Sequence, residues 1–398
     1  MIKNSYIELE RFDEENEEDF STRNIEKFSE AVIWGTDWTI ETIVNQIEKG
    51  NIELSPKFQR RDAWDEVEKS KLIESLMLGI PVPPIILAEK KDKRGKYIVI
   101  DGKQRLLSIA QYCLDNTEFK TLKLKGLDYL SVLNGKTYKE IDEDFNLLTY
   151  KDQLDNQTIR AVVIKNWPSE EFLFTVFLRL NTGSKQLSPQ ELRQALHPGE
   201  FLDYLDNATA DSETFMKLLR NKEPDSRMRD VELALRYYAF KYCIDSYRGK
   251  LKEFLDDTCN YLNREWYYKQ SCIEEDFKQL EASIEFTFGI FGEKDAFSRY
   301  TKGKYNRNFN RALYEIFTYY FSIPEIRESL KDKKDEFKLK FEKISDSDVK
   351  FNDSVASTTK DVNRIEYRFS VMYDLLNGLI SCRIPKLIND NSRFFIQY

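Results

Sequence analysis

The spacing of apolar residues along the chain changes from one segment to the next, and each period predicts an element. Ile40, Ile43, Val44 and Ile47 recur at helical spacing, and Gly50 closes the run. Order is expected to begin just before this helix, near Trp34 to Trp38. Ser55-Pro56 opens an extended piece, after which Leu72, Ile73, Leu76, Met77 and Ile80 mark one buried helix face. Pro81, Pro83 and Pro84 stop that helix. Ile85-Ile86-Leu87 and Tyr97-Ile98-Val99-Ile100 are short β-rich runs joined by a charged, Gly-containing turn, which predicts a hairpin. Immediately after it, Leu106, Leu107, Ile109, Ala110 and Cys113 return to a helical period.

Thr158 to Ile164 reads as a further strand, and a helix starting at Pro168-Ser169-Glu170-Glu171 is broken at Arg179-Leu180-Asn181-Thr182-Gly183. Ser188-Pro189-Gln190-Glu191 has the form of a capping box with proline at the first helical position, so a new helix begins there. Beyond residue 200 the periods are helical, clearest in Val231 to Tyr238 and Phe309 to Phe321. The fold class expected is therefore α+β, an N-terminal mixed domain over residues 31–200 followed by an all-helical C-terminal domain over 201–398. Residues 8–20 carry Glu14, Glu15, Glu17, Glu18 and Asp19, so residues 1–30 are expected to be an acidic, mobile tail. Lys331 to Lys343 suggests an exposed helix of mixed charge, with a polar loop from Asp346 to Asp353. No internal repeat is visible.

Composition narrows the function. The 398 residues carry 61 Lys+Arg against 69 Asp+Glu, a formal charge of -8, so polyphosphate must be held by a local patch if at all. Cys113, Cys243, Cys259, Cys272 and Cys382 include no C-x-x-C pair, which argues against a zinc ribbon or a disulfide framework. With no run of eighteen apolar residues and an acidic N-terminus, a cytoplasmic protein without a membrane partner is expected. His197 is the single histidine of the chain. Sites built on several imidazoles, such as HNH nucleases, are excluded by that count, and His197 itself reads as a residue at a helix end, with no evident partner.

Two segments can carry chemistry. A strand ending in Asp101-Gly102 and passing at once into a helix brings backbone N–H groups and a helix dipole to one point, which suits an anion. Lys103 and Arg105 add charge there; the competing reading is a tight turn with solvent-exposed Lys and Arg. From Ala296 to Tyr314, Arg299, Lys302, Lys304, Arg307 and Arg311 alternate with Phe297, Tyr300, Tyr305 and Phe309, without an acid. That mixture suits nucleic-acid backbone, with Arg299, Lys302, Lys304 and Arg307 as the contacts, and it also suits a basic loop leading into a helix whose aromatics are core.

Phe58-Gln59-Arg60, Lys71 to Ser75, Gly79 to Pro84, Ile100-Asp101-Gly102-Lys103-Gln104-Arg105 and Arg179 to Gly183 follow one another in an order that resembles the N-terminal domain of GmrSD-type type IV restriction enzymes and the related phosphorothioate-sensing protein SspE. The resemblance implies a ParB/sulfiredoxin-like fold, with Gly102-x-x-Arg105 similar to the ParB nucleotide box. It extends over about residues 36–200, and Met228 to Arg236 resembles the helical extension that follows this domain. The family signature is Asp-Gly-Gln-Gln-Arg, and Lys103 stands in place of its first glutamine.

What the resemblance implies is a nucleoside triphosphate, with Mg²⁺ accompanying it, bound by this domain. Gln104 and Arg105 would contact its phosphates and Asp101 would orient a water, these three forming the reactive set. Gln59, Arg60, Gly102, Lys103, Asn181 and Thr182 would complete the nucleotide pocket, and no protein-bound metal is implied. The function expected is a nucleotide-binding switch, with slow NTP hydrolysis as a further expectation, of an anti-phage system that lacks its own HNH nuclease and relies on a partner nuclease or effector. The rival is a catalytically inert DNA- or protein-binding module of the same fold.

Overall fold

The computed structural model describes residues 31–52, 54, 64–115, 119–169, 172, 173, 176, 188–356, 359–390 and 393–397. The acidic segment 1–30, Ser55-Pro56, Gln59, Arg60 and Arg179 to Gly183 lie outside the described residues. The chain divides into two compact units, Phe20–Leu196 and, from His197 onward, the remainder.

In the first unit a four-stranded mixed sheet has the order β1 (Val32–Thr39), β4 (Thr158–Lys165), β2 (Ile85–Glu89), β3 (Tyr97–Asp101). β1 and β4 are antiparallel, β4 and β2 parallel, and β2 and β3 form the expected antiparallel hairpin. Side chains alternate across a pleated sheet, so each strand feeds two cores. Ile85, Leu87, Val99, Ile159 and Ala161 pack on one face with residues of α1 (Ile40–Glu48), α2 (Glu66–Met77) and α3 (Lys103–Cys113). Ile86, Ala88, Ile98, Ile100 and Ile164 pack on the other with Trp167, Phe172, Leu173 and Leu192. Burial on both faces explains why these strands read as continuous apolar runs.

Helix α2 starts on a reciprocal capping box between Asp65 and Glu68 and runs to Met77, so Ile80 falls beyond its end and is exposed. Two short helices follow, α4 (Tyr138–Asp142) and α5 (Leu148–Asn156). The Ser188 capping box forms as expected: the Glu191 N–H donates to Ser188 Oγ (3.1 Å) and Glu191 Oε2 accepts from the Ser188 N–H (2.7 Å), opening α6 (Pro189–Leu196).

The second unit is mainly helical. It contains α7 (Glu200–Asp211), α8 (Glu213–Leu219), α9 (Arg229–Tyr242), the 41-residue α10 (Leu251–Phe291), α11 (Arg311–Phe321), α12 (Pro324–Leu330), α13 (Lys334–Ser347), α14 (Val349–Ala356) and α15 (Val362–Asn377). It is not all-helical as expected. Two antiparallel hairpins are present, β5 (Ser298–Thr301) with β6 (Lys304–Phe309) and β7 (Lys386–Asp390) with β8 (Arg393–Gln397). The turn of the first is Lys302-Gly303, both at positive φ (52° and 75°), the two-residue geometry whose twist matches a hairpin. Lysine is a poor signal for that turn, which is why the segment read as a loop. The expected loop from Asp346 to Asp353 is also mostly helix, divided between α13 and α14, with Phe351 buried. No described helix is long and apolar enough to cross a membrane.

Candidate functional site

Strand β3 ends at Asp101, and Gly102 turns the chain into α3 at φ 97°, in the left-handed region. A Cβ at residue 102 would lie 2.8 Å from Ile85 Cγ2 and 3.2 Å from Arg105 Nη2. Only glycine satisfies both the backbone angle and that close approach. The junction therefore delivers the first turn of α3, with its free N–H groups, to the end of an edge strand.

Asp101 and Arg105 are held together at this point. Asp101 Oδ1 accepts from the Gly102 N–H (2.7 Å), and Arg105 Nη2 donates to Asp101 Oδ2 (3.1 Å) and to the Pro84 carbonyl (3.0 Å). The guanidinium is thus pre-positioned before any ligand arrives. Its Nε and the Gln104 Oε1 are buried and have no hydrogen-bond partner among the described residues. An unmatched polar atom shielded from water is costly, so two of them within two consecutive residues at a helix N-terminus point to groups that a ligand completes.

Lys103 departs from expectation. Instead of facing an incoming anion, its Nζ lies 2.6 Å from Glu191 Oε1, with the two side chains only 8% and 5% exposed. The residue after Gly102 is buried, and Glu191, already capping α6, supplies its countercharge. Sequence gave no sign of this pairing, since the partners lie 88 positions apart. Arg193 and Gln190, on the same helix, are also buried and bonded to each other (2.8 Å), and Gln190 Nε2 and Gln194 Oε1 lack partners among the described residues. Sequence reasoning missed all of these; the one available hint was the density of polar residues in a helix with a single strongly apolar face.

Of the expected site, the described residues bring together Asp101, Gly102, Gln104 and Arg105, with Lys103 diverted to Glu191; Gln59, Arg60, Asn181 and Thr182 lie outside them. Among the described residues no group of three or more His, Cys, Asp or Glu is placed to hold a metal ion. His197 does follow the end of α6, but it has partners: it is buried, with Nδ1 3.0 Å from Asn260 Oδ1 and Nε2 3.8 Å from Asp256 Oδ1.

In the second unit, the Lys302 and Lys304 side chains project from the tip of the β5–β6 hairpin and are exposed. Arg307, at φ 64° in a bulge of β6, has a side chain 73% exposed and 3.9 Å from Asp295. Arg299 is half-buried. The interleaved aromatics divide: Phe297 and Phe309 are core, whereas Tyr300 and Tyr305 are half-buried and stack edge to face (4.9 Å) on the hairpin.

The first unit is thus an α+β domain with a glycine-hinged strand–helix junction and an arginine fixed above a helix N-terminus. Residues 40–198 match the family model described as the GmrSD restriction endonuclease, N-terminal domain. This match supports a GmrSD-type N-terminal domain within the first unit. No curated protein and no solved structure matched the chain.

Proposed function

We propose that the N-terminal unit is a nucleoside-triphosphate-binding switch of a prokaryotic restriction-type defence system, on a ParB/sulfiredoxin-like fold. The observation that carries this is the pair of unmatched buried atoms, Gln104 Oε1 and Arg105 Nε, at the start of α3. A helix N-terminus supplies N–H donors and a favourable dipole for phosphate, and a guanidinium adds a fork that holds two oxygens. Gly102 makes the left-handed turn that brings this N-terminus to the strand end, close against Ile85 and Arg105. Mg²⁺ arriving with the triphosphate takes most of its ligands from phosphate and water, and the half-exposed Asp101 carboxylate is the group here that suits it or orients a water. Cleavage of DNA falls to a partner nuclease or effector, because the one imidazole of this chain is buried against Asn260.

The rival reading, an inert binding module, is favoured by one observation: Lys103, which replaces the first glutamine of the signature, is committed to Glu191. Calorimetry with each of the four common triphosphates, and phosphate release with and without DNA, separates the two. Binding is expected, and Arg105→Ala weakens it by about 1.5–3 kcal/mol, the scale of a charged hydrogen bond. Absence of binding by all four, or no effect of that substitution, refutes the assignment; binding without turnover selects the inert module.

A further inference from the structure

We infer that the N-terminal unit holds a second ligand pocket, at the C-terminal end of α3, which takes a small neutral aromatic molecule carrying a hydrogen-bonding group. It does not depend on the nucleotide reading: α3 has 11 residues, so its two ends lie about 15 Å apart. The cavity has a volume of about 310 Å³, at the lower end of the range of roughly 300–1,000 Å³ that holds small molecules. One wall is the last turn of α3, where Tyr112 and Leu114 are buried. The facing wall is the extended segment after it, fixed by the Leu122 N–H on the Gln111 carbonyl (2.8 Å) and the Leu124 N–H on the Lys136 carbonyl (3.0 Å). Alternation along this segment sends Leu122 and Leu124 into the core and leaves Thr121 and Lys123 to line the cavity. Tyr138 adds a third side, its ring edge to face with that of Tyr112 at 5.8 Å.

The charges around the cavity balance. Lys139 lies 3.5 Å from Asp115, and Glu140 accepts from the Thr137 N–H (2.7 Å) and hydroxyl (3.1 Å), with Lys123 as the second cation of the lining. Behind Tyr138, Asp155 accepts from its hydroxyl (2.8 and 2.9 Å) and pairs with Lys151 (2.9 Å), which also lies 3.6 Å from Asp142. Neither sign is in excess, so an ion would lose its hydration without gaining a net countercharge, whereas a neutral ring would bury apolar surface on Tyr112, Leu114 and Tyr138. The polar requirement comes from Tyr112, whose buried hydroxyl has no hydrogen-bond partner among the described residues. Burial raises the pKa of that hydroxyl and of the Cys113 thiol beside it, so both keep their protons near neutral pH. A protonated thiol is a poor nucleophile, so this pocket binds a ligand without reacting with it.

The test uses the full chain and ¹⁹F NMR of 4-fluorophenol, with 4-fluorobenzoate and 4-fluorobenzylamine as charged counterparts. A probe of this size is expected to bind with a Kd on the order of 1 mM. Thr121→Trp and, separately, Lys123→Trp, both at exposed positions, fill the cavity without touching the core and should each weaken binding about tenfold. Tyr112→Phe should weaken it about fivefold, the scale of one hydrogen bond. The two charged probes should bind about tenfold more weakly than the phenol. Saturable binding of the phenol that both tryptophans block supports the inference. It is overturned if the phenol shows no saturable broadening up to about 10 mM, if neither tryptophan variant weakens it, if Tyr112→Phe leaves it unchanged, or if either charged probe binds as tightly.

Discussion

Lys103→Met removes one partner of the most deeply buried ion pair of the N-terminal unit that touches its candidate site. In the wild type, the Lys103 ammonium and the Glu191 carboxylate are 2.6 Å apart at 8% and 5% exposure, so water screens them little. Methionine fills most of the volume of the lysine stem, which keeps packing loss small. What remains is a buried Glu191 anion that keeps the Ser188 N–H (2.7 Å) as a donor. Breaking a buried pair in this way costs about 3–5 kcal/mol, whereas replacing both partners by apolar groups is often near neutral. Glu191 also caps α6, so Lys103→Met with Glu191→Met should lose only about 1–2 kcal/mol for the cap. The double variant is therefore expected to be more stable than the single one by about 2–3 kcal/mol.

Since the chain has two units, a global melting curve mixes their transitions. Hydrogen exchange of the amides in α3 and α6, measured in the regime where rates report local equilibrium, reads the relevant unit directly. Lys103→Met should raise exchange there by two to three orders of magnitude, from about 1.4 kcal/mol per factor of ten. Protection within about 1 kcal/mol of wild type, or a double variant no more stable than Lys103→Met, would refute the view that this lysine serves structure through Glu191.

Gly102→Ala should destabilise the unit by about 1–3 kcal/mol, the range for a strained backbone residue, because alanine at φ 97° also meets the buried Ile85; the shift in urea midpoint of the N-terminal tryptophan signal checks it. Acid should destabilise the second unit through Asp225. Burial raises this carboxyl, but hydrogen bonds and charge from Arg229 overcome burial and hold it below its ordinary value of 3.8. The folded state thus binds the proton less readily than the unfolded chain, so the stabilisation is present above about pH 4 and is lost as pH falls below it. In acid titrations followed by circular dichroism, Asp225→Asn should flatten that loss, and an unchanged profile would remove Asp225 from the account.

How much of this was legible from the sequence follows the range of the interactions involved. The helix after Asp101-Gly102, the β2–β3 hairpin and the Ser188 capping box were readable because each depends on residues within a few positions of one another, through periodicity, turn chemistry and end caps. The motif order behind the match over residues 40–198 was readable because it is a property of the linear chain. The C-terminal hairpins were not: β5 and β6 are short and polar, their turn is Lys302-Gly303, and their strand state is decided by packing of Phe297 and Phe309 into a helical core. Nor was the fate of Lys103, which local sequence left free to face an anion. Tertiary structure brought Glu191 from 88 positions away into contact with it, excluded water from the pair, and so turned a residue of the signature segment into a buried support for its neighbours Gln104 and Arg105.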